Sequence, residues 1–210
     1  MPSLKMYKSL TIVIFILIAM TIMRNNIWQT DIKLWSDNVK KSQAKARPNL
    51  NLGIAYLNED RWQESEPFFK RVLEINPEFH RAKYSLSEAL FNMQRYEEAL
   101  KYLKEVESAY LILVRTGLES KKRGAVLYHN IAACYYKLGN LKEAEIYYKK
   151  AIDMVPDSIQ TMEGLVDLLI EQNRKEEAIF YMEELIALAN SEYKNREKLK
   201  NILKELKKGD

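Results

Sequence analysis

Cysteine, histidine, glycine and proline are all scarce in this 210-residue chain: one Cys, two His, six Gly and five Pro. The lone Cys134 excludes an internal disulfide framework and a Cys-based zinc site. With only His80 and His129 besides, no metal site and no cofactor are expected. So few turn formers speak against a loop-rich or all-β fold. No Gly-rich phosphate loop, G-x-S-x-G elbow or HExxH helix occurs. No catalytic residue can be named, and a non-enzyme is expected. There is also no N-x-[ST] sequon, so glycosylation gives no clue to compartment.

What is present is charge and apolar surface. Hydrophobic residues make up 47% and charged residues 30%, which suits a folded chain of one or two domains. The net charge of +4 is uneven. Residues 1–48 carry eight Lys/Arg against two acids, a local +6, and the remainder carries 25 against 27, or −2. The basic residues flank an apolar run instead of forming a patch on a folded face. Anionic lipid is therefore a better candidate partner for this end than nucleic acid, which is not expected, and the plainer reading is solvated charges beside a membrane segment.

That run, LTIVIFILIAMTIM at residues 10–23, has no charge for 14 residues. It is short against the ~20 residues that cross a hydrocarbon core comfortably, but Tyr7, Lys8 and Ser9 extend it to residues 7–23, and lysine can snorkel. Ala19-Met20-Thr21 makes a poor cleavage site, so residues 1–25 are expected to form an uncleaved signal anchor of a single-pass membrane protein. A short N-terminal tail bearing Lys5 and Lys8 favours the cytoplasm, which puts residues 24–210 on the extracytoplasmic side, although Arg24, Lys33, Lys40 and Lys41 pull the other way. A soluble secreted protein, cleaved near Arg24, is the alternative.

From Leu52 onward the chain repeats itself. A shift of 34 carries Leu52 to Leu86, Tyr56 to Leu90, Trp62 to Tyr96, Phe69 to Leu103 and Val72 to Val106; later it carries Ile131 to Leu165, Ala144 to Ala178 and Tyr148 to Met182. The join between the two halves needs 45, as in Leu86 to Ile131. Four units of 34 follow, 46–79, 80–113, 125–158 and 159–192, with an insertion at 114–124 whose conformation the pattern leaves open. Each unit reads as two amphipathic helices too narrow-faced to stand alone, so neighbours must stack to bury a core. Pro77 and Pro156 stop the second helix of their units, and Pro67 falls near the start of one. Cys134 is equivalent to Ala55, Ala89 and Leu168, which makes it a small core residue and not a nucleophile. Residues 26–45 read as a connecting amphipathic helix or half-repeat. Residues 193–210, with Tyr193, Leu199, Ile202, Leu203 and Leu206 on one stripe, read as a cap helix.

Residues 125–158 carry Tyr128, Ile131, Ala132, Tyr135, Gly139, Leu141, Ala144, Tyr148, Ala151 and Pro156. Residues 46–79 carry Leu52, Gly53, Tyr56, Trp62, Phe69 and Pro77, with Ser65 where alanine is usual. This pattern resembles the tetratricopeptide repeat (TPR). The resemblance implies an all-α, right-handed α-solenoid of about four helix pairs, preceded here by a transmembrane helix and closed by the C-terminal cap. The junction resembles a narrower group. Arg24-Asn25, Trp28, Leu34-Trp35, Asp37, Lys41-Ser42, Lys45-Ala46-Arg47-Pro48 and Asn51-Leu52-Gly53 are similar to the transmembrane-and-TPR O-mannosyltransferase-like family and its bacterial relatives, in which the last membrane helix runs into an outward-facing array. Gln43 stands where proline is usual, and these residues hold no counterpart of the multi-pass catalytic region, so no transferase activity is implied.

Within a TPR the first helix of each pair lines a concave groove. The resemblance assigns a peptide-binding groove to Arg47, Leu50, Asn51, Ile54 and Asn58 in the first unit, and to Arg81, Tyr84, Glu88 and Phe91 in the second. In the third and fourth it assigns His129, Asn130, Tyr136, Lys137, Glu163 and Asp167, with Ala133, Gly164 and Glu171 beside them. Asn51 and Asn130 could grip a peptide backbone. Glu163, Asp167 and Glu171 would favour a basic stretch of ligand. Arrays that clamp C-terminal carboxylates use Lys and Asn where Leu50 and Ile54 stand, so that specialisation is not implied. The expectation is a membrane-anchored scaffold that binds protein or peptide partners, with no small-molecule substrate; an accessory subunit of a separate multi-pass glycosyltransferase is the alternative.

Overall fold

The computed structural model describes residues 13–22, 30–115, 120–189 and 193–208. Among these residues eleven helices form and no strand. Residues 13–22 are helical (α1), with their apolar side chains exposed. No helix among the described residues is long and apolar enough to cross a membrane. Of the expected span at 7–23, residues 7–12 and 23 lie outside the described residues, as do 116–119 of the insertion.

The remaining helices are α2 (Asp31–Lys41), α3 (Ala46–Asn58), α4 (Trp62–Ile75), α5 (His80–Asn92), α6 (Tyr96–Arg115), α7 (Lys121–Lys137), α8 (Leu141–Met154), α9 (Ile159–Glu171), α10 (Lys175–Leu188) and α11 (Arg196–Lys208). The chain divides into two compact units, residues 1–89 and 90–210.

In the first unit α2 packs on α3 and α3 on α4. Thr30 caps α2, its hydroxyl accepting from the Lys33 amide at 3.2 Å. The buried Asn49 amide donates to the carbonyls of Gln43 (3.0 Å) and Lys45 (2.8 Å), which fixes the link from α2 to α3. Leu52, Ala55, Phe69 and Val72 form the core. Gly53 is required by contact, because a Cβ there would lie 2.6 Å from the Phe69 ring. Pro67 sits inside α4.

In the second unit each helix packs on the next from α6 to α11, and α7 also meets α9. One core gathers Ala132, Ala144, Tyr148, Leu165, Leu168, Leu169 and Ala178. A second gathers Met162, Val166, Met182, Leu185 and Leu199. The stripe on α11 is used throughout: Tyr193, Ile202 and Leu203 pack on the second core around Leu199, and Leu206 packs on the first. The insertion lengthens both of its helices. α6 has 20 residues and α7 has 17, against 13 or 14 in the other helices from α3 to α11.

Every hairpin turns on a left-handed residue: Asp60 (φ 56°), Gln94 (φ 61°), Gly139 (φ 75°) and Asn173 (φ 56°). These positions are spaced 34, 45 and 34 apart, so the backbone repeats as the sequence does. Three of the four second helices also open on an Arg–Glu pair three residues apart: Arg61–Glu64 at 3.0 Å, Arg95–Glu98 at 2.6 Å and Arg174–Glu177 at 2.7 Å. The carboxylate sits in the first helical turn, where the helix dipole favours it. Arg174 reaches further, to Glu145 on α8 at 2.5 and 3.0 Å, and holds that carboxyl below its usual range.

Candidate functional site

The first helix of each hairpin presents the expected groove residues on one face, since positions three and four apart share a side of a helix. On α3 these are Arg47 and Asn58, exposed, and Asn51 and Ile54, half-buried. Leu50 is a correction. It is only 3% exposed and belongs to the core, because α2 packs along α3 and takes up helix surface that position-counting leaves open. On α5, Arg81 and Glu88 are exposed and Tyr84 is half-buried. Crowding by protein raises the Glu88 pKa even so. Phe91 is half-buried and packs edge-on against Tyr96 at 5.2 Å, which closes the turn into α6.

The second unit brings more together. His129, Asn130, Tyr136 and Lys137 lie on α7, Glu163 and Asp167 on α9, and the two helices meet. Tyr148, rising from α8, lies between them. Its ring is 5.7 Å from that of His129 on one side. On the other, its hydroxyl would be 2.7 Å from a Cβ on Gly164 of α9. Only glycine leaves that space, so Gly164 admits the phenol to the floor of an α7–α9 cleft. Tyr148 is 3% exposed, and its hydroxyl has no hydrogen-bond partner among the described residues. The His129 Nδ1 beside it is likewise buried without one. Burial lowers the His129 pKa, so the ring is neutral near pH 7.

Charge lines the rim. The Tyr136 hydroxyl donates to Glu171, which with burial pushes the phenol up to about 12. The Lys137 ammonium stands 5.7 Å from the Tyr136 ring centroid. Glu163 accepts from the Tyr193 hydroxyl at 2.8 Å, so the link into the cap helix contributes to this face. The Asp167 pKa is raised, first by desolvation and then by Glu163, with Lys198 and Lys137 acting in the opposite direction. Such an arrangement can bind polar or charged groups.

Tyr148 is legible in the sequence as a core aromatic but not as a polar floor. Its partner Gly164 is visible there too, but their meeting is not. Tyr193 and Lys198 escape a count of groove positions because they come from the link into the cap helix and from that helix itself. Cys134 is fully buried, and burial pushes its thiol up to about 12, so it is protonated at neutral pH. No cluster suited to a metal ion occurs among the described residues.

Known proteins share this sequence and fold. Residues 78–157, 125–191 and 50–79 match the family described as Tetratricopeptide repeat. Over 164 residues the chain is 27% identical to Protein O-mannosyl-transferase Tmtc3 of Drosophila melanogaster. The match covers 72% of this chain and 17% of that protein, and it concerns the repeats. Among solved structures, MamA (41-end) from Desulfovibrio magneticus superposes with a TM-score of 0.67 at 20% identity, covering 75% of this chain and 82% of the other. YrrB, described as a TPR protein with an unusual peptide-binding site, gives 0.59 at 14% identity, covering 83% and 93%. With family matches running from residue 50 to 191 and an all-helical hairpin array to accompany them, this chain belongs to the tetratricopeptide-repeat family.

Proposed function

We propose that this chain is a membrane-anchored, non-catalytic scaffold that binds protein or peptide partners through the first-helix faces of its repeats. The α7–α9 cleft carries the reading. A buried imidazole nitrogen, the Nδ1 of His129, lies there with its hydrogen-bonding capacity unused, beside a Tyr148 hydroxyl that has no protein partner among the described residues, under a rim of charged and aromatic groups. A buried polar atom left without a partner is costly in a folded protein, and a ligand that reached the imidazole would relieve that cost while also bonding the Tyr148 hydroxyl. The peptide-binding site named for YrrB, a protein of similar fold, is consistent with this. The anchor rests on the uncharged run at 10–23 and the basic residues around it. The outward orientation rests on the short N-terminal tail.

A photo-cross-linking amino acid at Ala133, in the cleft, tests the binding face in membranes. A partner captured from position 133 and not from the exposed Lys142 of α8 is expected; equal capture at both, or none, would sink the assignment. Protease treatment of sealed cells with fractionation tests the anchor. Cleavage from outside with the chain in the membrane pellet is expected, and protection would put the repeats in the cytoplasm.

The relationship to Tmtc3 favours a second reading, an accessory subunit docked to a separate multi-pass glycosyltransferase. It requires such a protein among the cross-linked partners, which the first reading does not.

A further inference from the structure

Asp167 lies on α9 one turn from Glu163 and Gly164, on the helix that meets α7. Glu145 and Glu177 are engaged by Arg174, Glu183 by Lys207, Glu163 by Tyr193 and Glu171 by Tyr136. Asp167 has neither an ion pair nor a hydrogen bond among the described residues. Glu143, Asp153, Asp157, Glu176, Glu184 and Glu205 share that state, and what separates Asp167 from them is its place one turn from Gly164, where the Tyr148 hydroxyl lies. Its side chain is exposed, yet the protein beside it desolvates it in part and Glu163 lies close enough to repel it. A carboxylate so placed is stabilised by any cation that enters.

The groups around it suit a planar cation. Tyr136 is half-buried, and its ring already has an ammonium, that of Lys137, 5.7 Å from its centroid. Tyr148 supplies the second observation. It is a nearly fully buried side chain whose unpartnered hydroxyl lies over Gly164, and its charge environment includes both Tyr136 and Asp167. A phenol oxygen there can accept a hydrogen bond from below while the carboxylate accepts from the rim. A guanidinium offers several donors in one plane and stacks on aromatic rings, so arginine fits better than lysine. The charges facing Asp167 are Glu163, Lys137 and Lys198, and the last two oppose an incoming cation. The chain's +4 is carried by residues 1–48, and the remainder is only −2, so net charge does little for a basic ligand and the local face decides.

We propose that the α7–α9 cleft binds a basic peptide segment, with an arginine guanidinium held between the Asp167 carboxylate and the Tyr136 ring above the Tyr148 hydroxyl. This rests on reading the chain as a peptide-binding scaffold and names the chemistry of its ligand.

The test uses the full 210-residue chain in an uncharged detergent, with fluorescence anisotropy of four labelled nine-residue peptides. Three carry three Arg, three Lys or three Glu in a Gly-Ser background, and the fourth is Gly-Ser alone. The arginine peptide is expected to bind about tenfold more tightly than the neutral and glutamate peptides, with lysine between. Asp167→Asn should weaken the arginine peptide by about fivefold or more, and Glu143→Gln, the same charge change on exposed α8, should not. Lys137→Ala should tighten it by about two- to threefold, since it removes the competing cation. That opposite sign keeps the test decisive if Asp167→Asn melts early.

Equal losses from Asp167→Asn and Glu143→Gln would overturn the proposal, and so would weakening by Lys137→Ala. If the neutral or glutamate peptide binds and the arginine peptide does not, the basic ligand is wrong while the scaffold survives. If no peptide binds and position 133 captures no partner, both fall.

Discussion

Tyr110 of α6 rests against the backbone of α7 at Gly124. A Cβ on that glycine would come within 2.7 Å of the Tyr110 Cε1, and the Tyr110 hydroxyl donates to the carbonyl of Ser120 at 2.9 Å. Ser120 is the N-cap of α7, its own hydroxyl accepting from the Arg123 amide. One tyrosine thus joins the extended end of α6 to the extended start of α7.

Gly124→Ala should therefore destabilise the second unit by about 1–3 kcal/mol through overpacking. Tyr110→Phe should cost about 1 kcal/mol, the worth of one hydrogen bond. In a Tyr110→Ala background the alanine at 124 should cost little, since the clash is gone. Urea unfolding of the four proteins measures the coupling; additive losses would contradict the packing described.

The left-handed turns give a prediction of the opposite kind. A methyl group at Gly139 would meet nothing within 4 Å, so Gly139→Ala bears only the backbone penalty of a positive φ, about 1 kcal/mol. Gln94 already bears that penalty, and Gln94→Gly should recover up to ~1 kcal/mol. Opposite shifts in melting temperature are expected, and shifts of the same sign would contradict the shared turn geometry.

Cys134 should be inert while the chain is folded. It is wholly buried with its thiol pushed up to about 12. At pH 8 its reaction with an aromatic disulfide reagent should be at least about a hundredfold slower than that of the unfolded chain. Rapid labelling without loss of helicity would contradict its burial.

His129 should make stability depend on pH in one direction. Burial lowers its pKa below the ordinary 6.5, so the unfolded chain takes up the proton first as pH falls. Above pH 6.5 this costs nothing; below it the unfolded state is increasingly favoured, until pH passes the lowered folded value. Melting temperature should drop between pH 7.5 and 5.5, and His129→Gln should flatten the drop. An unchanged slope in the variant would assign the effect to other groups.

The repeat is legible because it is written in local chemistry. Apolar residues at helical spacing, small residues at close approaches and turns at a fixed interval recur with a period of 34, and the left-handed residues Asp60, Gln94, Gly139 and Asn173 follow the same register. The cap stripe on α11 is legible for the same reason. The insertion is not, since helix and loop are equally compatible with the sequence of residues 114–124. The Tyr110–Gly124 contact and the Ser120 cap accompany the lengthened helices, and they join residues from separate elements. Leu50 misleads because counting positions ignores α2, which covers part of α3. The sequence by itself determined the period, the helix pairs and the core alternation, because each depends on neighbours along the chain. Only the tertiary structure decided that Tyr148 brings an unpartnered hydroxyl to the α7–α9 cleft and that Asp167 is left unpaired there, because burial and charge pairing depend on side chains from α7, α8, α9 and α11 meeting in space.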